Sequence, residues 1–235
     1  MRISGKNLLW AAQHPIKTLR YVKFRDVIPY SEIARHLPQN PVILEAGAAN
    51  GENTVEMANF WPAATIHAFE PVPAAKTLVD QKTTAMKQRV HTYPCALGDQ
   101  SGVFTLHVSG SGDGNATQSS SLLKPSGHHE EYGFVVFEDT VEVEVVQLDA
   151  WAESHGVKRL DFLWLDMQGF ELRALKGGTE ILKSVSAIQI EVQHTELYDG
   201  APLYPEVKAW LRQHGFVPKI EAVFRIGGNV LFTRE

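Results

Sequence analysis

The densest run of residues able to do chemistry is Glu45-Ala46-Gly47-Ala48-Ala49-Asn50-Gly51. Its glycines let the backbone turn tightly and approach a ligand that any Cβ would push away. Glu45 at the head of the turn would repel a dinucleotide pyrophosphate, and the spacing is not the G-x-G-x-x-G of such sites. A ligand carrying an amine and a sulfonium would instead be attracted. Glu70 falls roughly 20 residues past the turn, where an acid that accepts from both ribose hydroxyls is expected. Glycines and acids together point to an adenosine-type cofactor carrying positive charge. The plainer alternative is that the glycines only turn the chain and the acids only cap helices.

A second set lies further along the chain. Asp166 closes the apolar run Phe162 to Leu165, and Gly169 permits a sharp turn after it. Glu171 opens the next helix and serves there as a cap. Glu191 interrupts the apolar run Ile188 to Val192, where a charge is costly without a partner, and His194 follows it. Two chemistries remain open for this set. Either Asp166 or His194 acts as a general base, or Asp166, Glu191 and His194 together bind a divalent ion such as Mg or Mn. His194 alone is as readily a histidine outside the site. His128-His129-Glu130-Glu131 is better explained as a solvated loop, because adjacent histidines point in different directions on most backbones. The five tryptophans read as packing residues.

These residues need a scaffold of alternating strands and helices. Val42-Ile43-Leu44 predicts a buried parallel strand, followed by a helix from about Asn53 to Phe60. Thr65 to Phe69 is the next strand, Ala74 to Met86 a helix with Pro73 near its first turn, and Val90 to Pro94 a third strand. Gly102 to Val108 and Val141 to Val146 predict extra strands around an irregular segment, Ser109 to Gly133. That length in a loop is expected to be functional, as a cover over substrate, or mobile. A helix from Leu148 to His155, the strand Phe162 to Leu165 and a helix from Phe170 to Leu182 follow. The strand Ala187 to Val192, a helix from Glu206 to His214, and strands at Phe216 to Ile220 and Asn229 to Phe232 complete the order. The alternation predicts right-handed βαβ units and a doubly wound α/β sheet.

The whole chain bounds the function classes. At 235 residues it suits one large domain, 41–235, preceded by a helical accessory segment, 1–40. The net charge of -5, with Lys and Arg scattered, offers no footprint for nucleic acid. One cysteine, Cys95, excludes an intramolecular disulfide and suits a reducing compartment. No apolar run is long enough to span a bilayer, so a cytoplasmic protein is expected. The mixed stretch Leu8 to Tyr30 is expected to pack as an accessory helix, with a membrane surface or a homo-oligomer interface as alternatives.

Four blocks make the chain resemble the FkbM family of methyltransferases: EAGAANGENT (Glu45 to Thr54), AFEP (Ala68 to Pro71), ALGD (Ala96 to Asp99) and DFLWLDMQGFELRALKG (Asp161 to Gly177). The last is the most specific, and the resemblance runs from about Pro41 onward. It implies a Rossmann-like class I methyltransferase fold, a mostly parallel sheet with an antiparallel strand near the C-terminus. It further implies S-adenosylmethionine as cofactor and O-methylation of a small-molecule or glycan hydroxyl. By position, Glu45, Gly47, Ala48 and Gly51 would form the methionine-binding turn, and Thr54 with Asn53 would meet the cofactor carboxylate. Glu70 would hold the ribose, Pro71 the adenine edge, and Cys95 and Ala96 would lie near the adenine through backbone groups. An NAD-dependent oxidoreductase and a non-catalytic nucleotide-binding module are the competing classes.

Overall fold

The computed structural model describes residues 12–13, 28–111, 118–127, 131–132 and 134–235. Most of the expected accessory segment, and the pair His128-His129, therefore lie outside the described residues. What is described of the segment includes a short helix, α1 (Tyr30–Ala34), whose Ile33 is buried.

Seven strands form the main sheet in the order β3-β2-β1-β7-β8-β10-β9. They are β1 (Val42–Ala46), β2 (Thr65–Phe69), β3 (Val90–Tyr93), β7 (Phe162–Leu165), β8 (Ala187–Gln193), β9 (Phe216–Val223) and β10 (Gly227–Arg234). Parallel pairing sets Ile43 beside Ile66 on one side and beside Phe162 on the other. β10 runs antiparallel to both β8 and β9, as the resemblance implies. Helices α2 (Glu52–Phe60) and α3 (Pro73–Thr83) follow β1 and β2; α4 (Leu148–Ser154) precedes β7, α5 (Glu171–Lys176) follows it, and α6 (Tyr204–Gln213) follows β8.

Because successive strand residues face opposite ways, each strand feeds two cores. Ile43, Ile66, Phe162 and Leu231 pack with Ile33 of α1 and Met57 of α2. Leu44, Leu163, Ile188 and Phe232 pack on the other face with Trp151 of α4, Leu175 of α5 and Leu211 of α6. Near-continuous apolar runs are what burial on both faces requires. The chain leaves β1 toward β2 on one side and reaches β7 on the other, so a crevice opens at their carboxyl ends.

Three expectations change. The helix expected over Phe170 to Leu182 ends at Lys176, and a separate 3-10 turn covers Ile181–Ser184. At Gly177 the chain passes so close to β4 (Ala96–Gly98) that a Cβ would lie 2.0 Å from the Gly98 carbonyl oxygen. The two extra strands are the ends of a longer hairpin, β5 (Gly102–Ser111) and β6 (Val135–Gln147), which joins β4 in a second sheet of order β4-β6-β5. Part of the expected loop is thus strand. Residues 118–127 are also pinned, through bridges from His107 to Ser121 and from Pro125 to Tyr198.

Candidate functional site

A cavity of about 470 Å3 occupies the crevice, walled by the ends of β1, β2, β4 and β7, by β5, and by residues 118–122. The turn after β1 shapes its floor. Gly47 has φ +89°, and a Cβ there would stand 1.9 Å from the Asp166 carbonyl oxygen. Both facts demand glycine, and the close approach seats the end of β1 against the end of β7. Gly51, at φ +79°, caps α2, and Asn50 Oδ1 accepts from the Glu52 N–H at 3.0 Å.

The strand-end acids occupy distinct environments. Glu70 Oε2 accepts from the Ala49 N–H (2.7 Å) and Oε1 from the Val72 N–H (2.8 Å), tying the two turns together. Burial pushes its carboxyl up to about 7 against the pull of those two N–H groups. Each oxygen keeps a second lone pair beyond the bond it accepts, and Glu70 lines the cavity. Glu45 is wholly buried behind that wall; one oxygen accepts from the Thr54 hydroxyl and the other has no partner. Burial raises it to about 8, opposed by Thr54 and reinforced by Glu70 and Asp166.

Gly47, Ala48, Asn53, Glu70, Pro71 and Ala96 line the cavity. Cys95 lines it as well, but burial pushes its thiol to about 12, so it stays protonated and unreactive. Glu45, Gly51 and Thr54 stand behind the lining and support it.

Asp166 also lines the cavity, and burial raises its carboxyl. Gln168 Nε2 donates both to it and to Glu191, 2.8 Å to Asp166 Oδ1 and 2.8 Å to Glu191 Oε2, so the two carboxyl groups meet on one amide nitrogen. The described contacts of His194 lie elsewhere. It is outside the cavity lining, its ring edge-on to Tyr204 at 5.5 Å, while its backbone N–H bonds the Ile226 carbonyl. Of the two chemistries left open by the sequence, the Mg or Mn alternative at Asp166, Glu191 and His194 gains no support, since among the described residues no three such side chains are grouped to hold a metal ion. His194 follows β8 in sequence, but the chain there turns toward α6 and β10. Glu171 caps the turn as expected, Oε1 accepting from the Met167 and Gly169 N–H groups. It is buried and raised to about 7.

Two residues of this cluster carry more structure than their sequence suggests. Gln168 lies within the most specific block, but nothing local marks its amide as a bridge. Tyr198, in the sequence Tyr198-Asp199-Gly200, reads as a turn residue with a substrate contact as the alternative; its hydroxyl donates to the Ser119 carbonyl (2.7 Å) and stands 2.9 Å from Gln168 Oε1.

A doubly wound sheet with one antiparallel strand, opening between β1 and β7 onto a cavity edged by strand-end acids, defines a Rossmann-like class I methyltransferase. The methyltransferase FkbM domain matches residues 45–218. The chain belongs to the FkbM family and is an S-adenosylmethionine-dependent methyltransferase. It is 32% identical over 164 residues to the 2-O-methyltransferase NoeI of Sinorhizobium fredii (strain NBRC 101917 / NGR234), which is 68% of this chain and 67% of that one. Methyltransferase sdnD of Sordaria araneosa is 27% identical over 203 residues, covering 77% of this chain and 75% of its own. The fibrillarin pre-rRNA processing protein of Methanococcus jannaschii shares the fold, with a TM-score of 0.50 at 11% identity over 85% of this chain and 69% of that one. Among the described residues no helix is long and apolar enough to cross a membrane.

The cavity's residues fit the cofactor's chemistry. Glu52, Glu70 and Asp166 line it, no Lys, Arg or His among the described residues does, and buried Glu45 has an oxygen without a partner. No cationic side chain offsets those acids for a pyrophosphate, whereas a sulfonium and an ammonium would meet complementary charge.

Proposed function

We propose that this enzyme methylates a hydroxyl on a sugar, glycan or natural-product acceptor, with Asp166 as the group that receives the hydroxyl proton. S-adenosylmethionine supplies an electrophilic methyl group on a positively charged sulfur. On this reading Glu70 accepts from the ribose hydroxyls through its remaining lone pairs. Asn53 and the N-terminus of α2 receive the carboxylate, and Glu45 balances positive charge from behind the turn. Pro71, Cys95 and Ala96 flank the adenine.

The observation that carries the acceptor side is the carboxyl pair Asp166 and Glu191, bridged by Gln168 at the cavity wall. A hydroxyl holds its proton until the new C–O bond forms, so a neighbouring base lowers the barrier. A carboxyl whose proton affinity is raised by burial is better matched to that task near neutral pH than an exposed one. An amine acceptor would have less need of such a group. The rest of the lining includes apolar (Leu106, Val108, Leu122) and hydroxylic (Ser120, Ser121) residues, a surface suited to a polyhydroxylated ring. The likeness to a 2-O-methyltransferase supports a hydroxyl acceptor.

The test is transfer of isotopically labelled methyl from S-adenosylmethionine to a panel of glycosides, phenols and matched amines. Label should enter hydroxyl compounds as an alkali-stable ether, and Asp166→Asn should lower kcat by roughly 100-fold or more, as for loss of a general base. Label confined to amines, or Asp166→Asn at full activity on a hydroxyl acceptor, would overturn the reading.

A further inference from the structure

Gln168 has φ +54°, a left-handed backbone that costs a side-chain-bearing residue about 1 kcal/mol and that glycine adopts freely. Gly169, the next residue, is also left-handed at +94°. A glycine at 168 would make this turn more cheaply, so the side chain must supply something the turn does not need.

Its bonds show what that is. The two amide N–H groups reach one carboxylate each, Asp166 on the turn after β7 and Glu191 on β8. The amide oxygen faces the Tyr198 hydroxyl at 2.9 Å, and the backbone carbonyl accepts from Ser121 Oγ at 2.8 Å. Burial and the carboxylates of Glu191, Glu171 and Asp166 push the Tyr198 hydroxyl far above its usual range, so it remains a donor. Its single proton lies between two acceptors, the Ser119 carbonyl and Gln168 Oε1, while the two carboxylates admit only the amide nitrogen on their side. The Ser119–Ser121 segment, which walls the cavity, holds Tyr198 and Gln168 in turn.

We infer that Gln168, oriented by Tyr198, is a positioning residue that keeps the Asp166–Glu191 pair singly charged, with one proton shared and one carboxylate able to accept. This rests on the reading of Asp166 as proton acceptor. Two carboxyl oxygens that each lie 2.8 Å from one amide nitrogen stand close enough for two bare charges to repel, and one proton shared between them relieves that repulsion. Around them stand Glu45 from β1, Glu171 from α5 and Tyr198 from the segment after β8, none of which supplies positive charge. The amide of Gln168 therefore supplies the donors that oppose burial and hold the pair's charge.

The test needs no acceptor. Carboxyl protonation in the full chain is followed by infrared spectroscopy across pH, with Asp166→Asn and Glu191→Gln assigning the pair's band. Gln168→Gly and Gln168→Asn both tolerate the left-handed backbone and cannot bridge both carboxylates. Each should raise the pair's midpoint by about 1 to 2 pH units, the value of lost hydrogen bonds to a charged group. Tyr198→Phe should raise it less, in the same direction. A midpoint unchanged in both Gln168 variants, with only the melting temperature altered, would make Gln168 merely structural and overturn the inference. So would a wild-type spectrum with no titrating band that the two assigning variants remove. A shifted midpoint alongside an active Asp166→Asn enzyme would instead keep Gln168's role in the pair and remove Asp166 as the proton acceptor.

Discussion

Glu45→Gln should stabilise the ligand-free protein, and the gain should grow with pH. Glu45 is fully buried and held at about 8, against 4.5 when solvated. The folded state therefore keeps this proton to higher pH than the unfolded state does. Stability is complete below 4.5 and is lost progressively as pH rises through about 8. At about 1.4 kcal/mol per pH unit, the gap amounts to about 3 kcal/mol at pH 7 and about 5 kcal/mol at pH 9. Glutamine copies the protonated acid in shape, can still accept from Thr54, and carries no charge to bury. Urea unfolding of both proteins at pH 5, 7 and 9 should give nearly equal stabilities at pH 5 and a widening gap above it. Glu70 and Glu171, each at about 7, tilt both curves alike and drop out of the difference. S-adenosylmethionine should act in reverse, because a cation favours ionised Glu45. Its affinity should rise between about pH 6 and 8 with proton release, and Glu45→Gln should flatten that rise. Parallel stability curves from pH 5 to 9 would refute the reasoning.

Gly47→Ala forces a methyl group into the Asp166 carbonyl and holds alanine at φ +89°. A loss of about 3 kcal/mol or more is expected in urea unfolding, with weakened cofactor binding by calorimetry. Glu70→Ala strips the Ala49 and Val72 N–H groups of their acceptor and removes the proposed ribose ligand. It should weaken S-adenosylmethionine roughly 100-fold, whereas Glu70→Gln, which keeps one acceptor oxygen, should lose less. Arg225 donates to both oxygens of Glu131 and so ties the turn before β10 to the chain entering β6. Arg225→Met should cost about 2 kcal/mol, and a double-mutant cycle with Glu131→Gln should recover about half of it.

The parts of this structure legible in the sequence are those whose cause is local. Val42 to Leu44 and Phe162 to Leu165 announce themselves because burial on both faces selects an unbroken apolar run. Gly47 was legible because a left-handed turn selects glycine, and Glu70 because its distance from that turn is set by one βαβ unit. What escaped depends on partners distant in sequence. The middle of β6 carries Glu138-Asp139-Thr140, all exposed, and reads as loop until β5 is known to lie beside it. β4 is three residues long and has no pattern to detect. The amide of Gln168 gains its function from Glu191 and Tyr198, which only the placement of β8 beside β7 brings near. His194 shows the converse: closeness to Glu191 in sequence suggested a shared site, but the chain after β8 turns its ring to Tyr204.

The buried acids differ in how far their partners compensate their charge. Glu171 accepts from two backbone N–H groups, and Glu70 accepts from two more. Each is a linchpin between turns whose charge is partly balanced by the peptide dipoles it receives. Glu45 has a single hydroxyl donor, and Asp166 shares one amide with Glu191, so these acids are the least compensated. Uncompensated charge in a buried site is costly in the ligand-free protein, and it becomes attraction as soon as a cation enters. On the proposed reading the sulfonium and ammonium of S-adenosylmethionine would provide that cation, whereas the thioether left after transfer has lost the sulfonium charge. The arrangement that weakens the empty fold at alkaline pH therefore also favours the charged cofactor over its spent product.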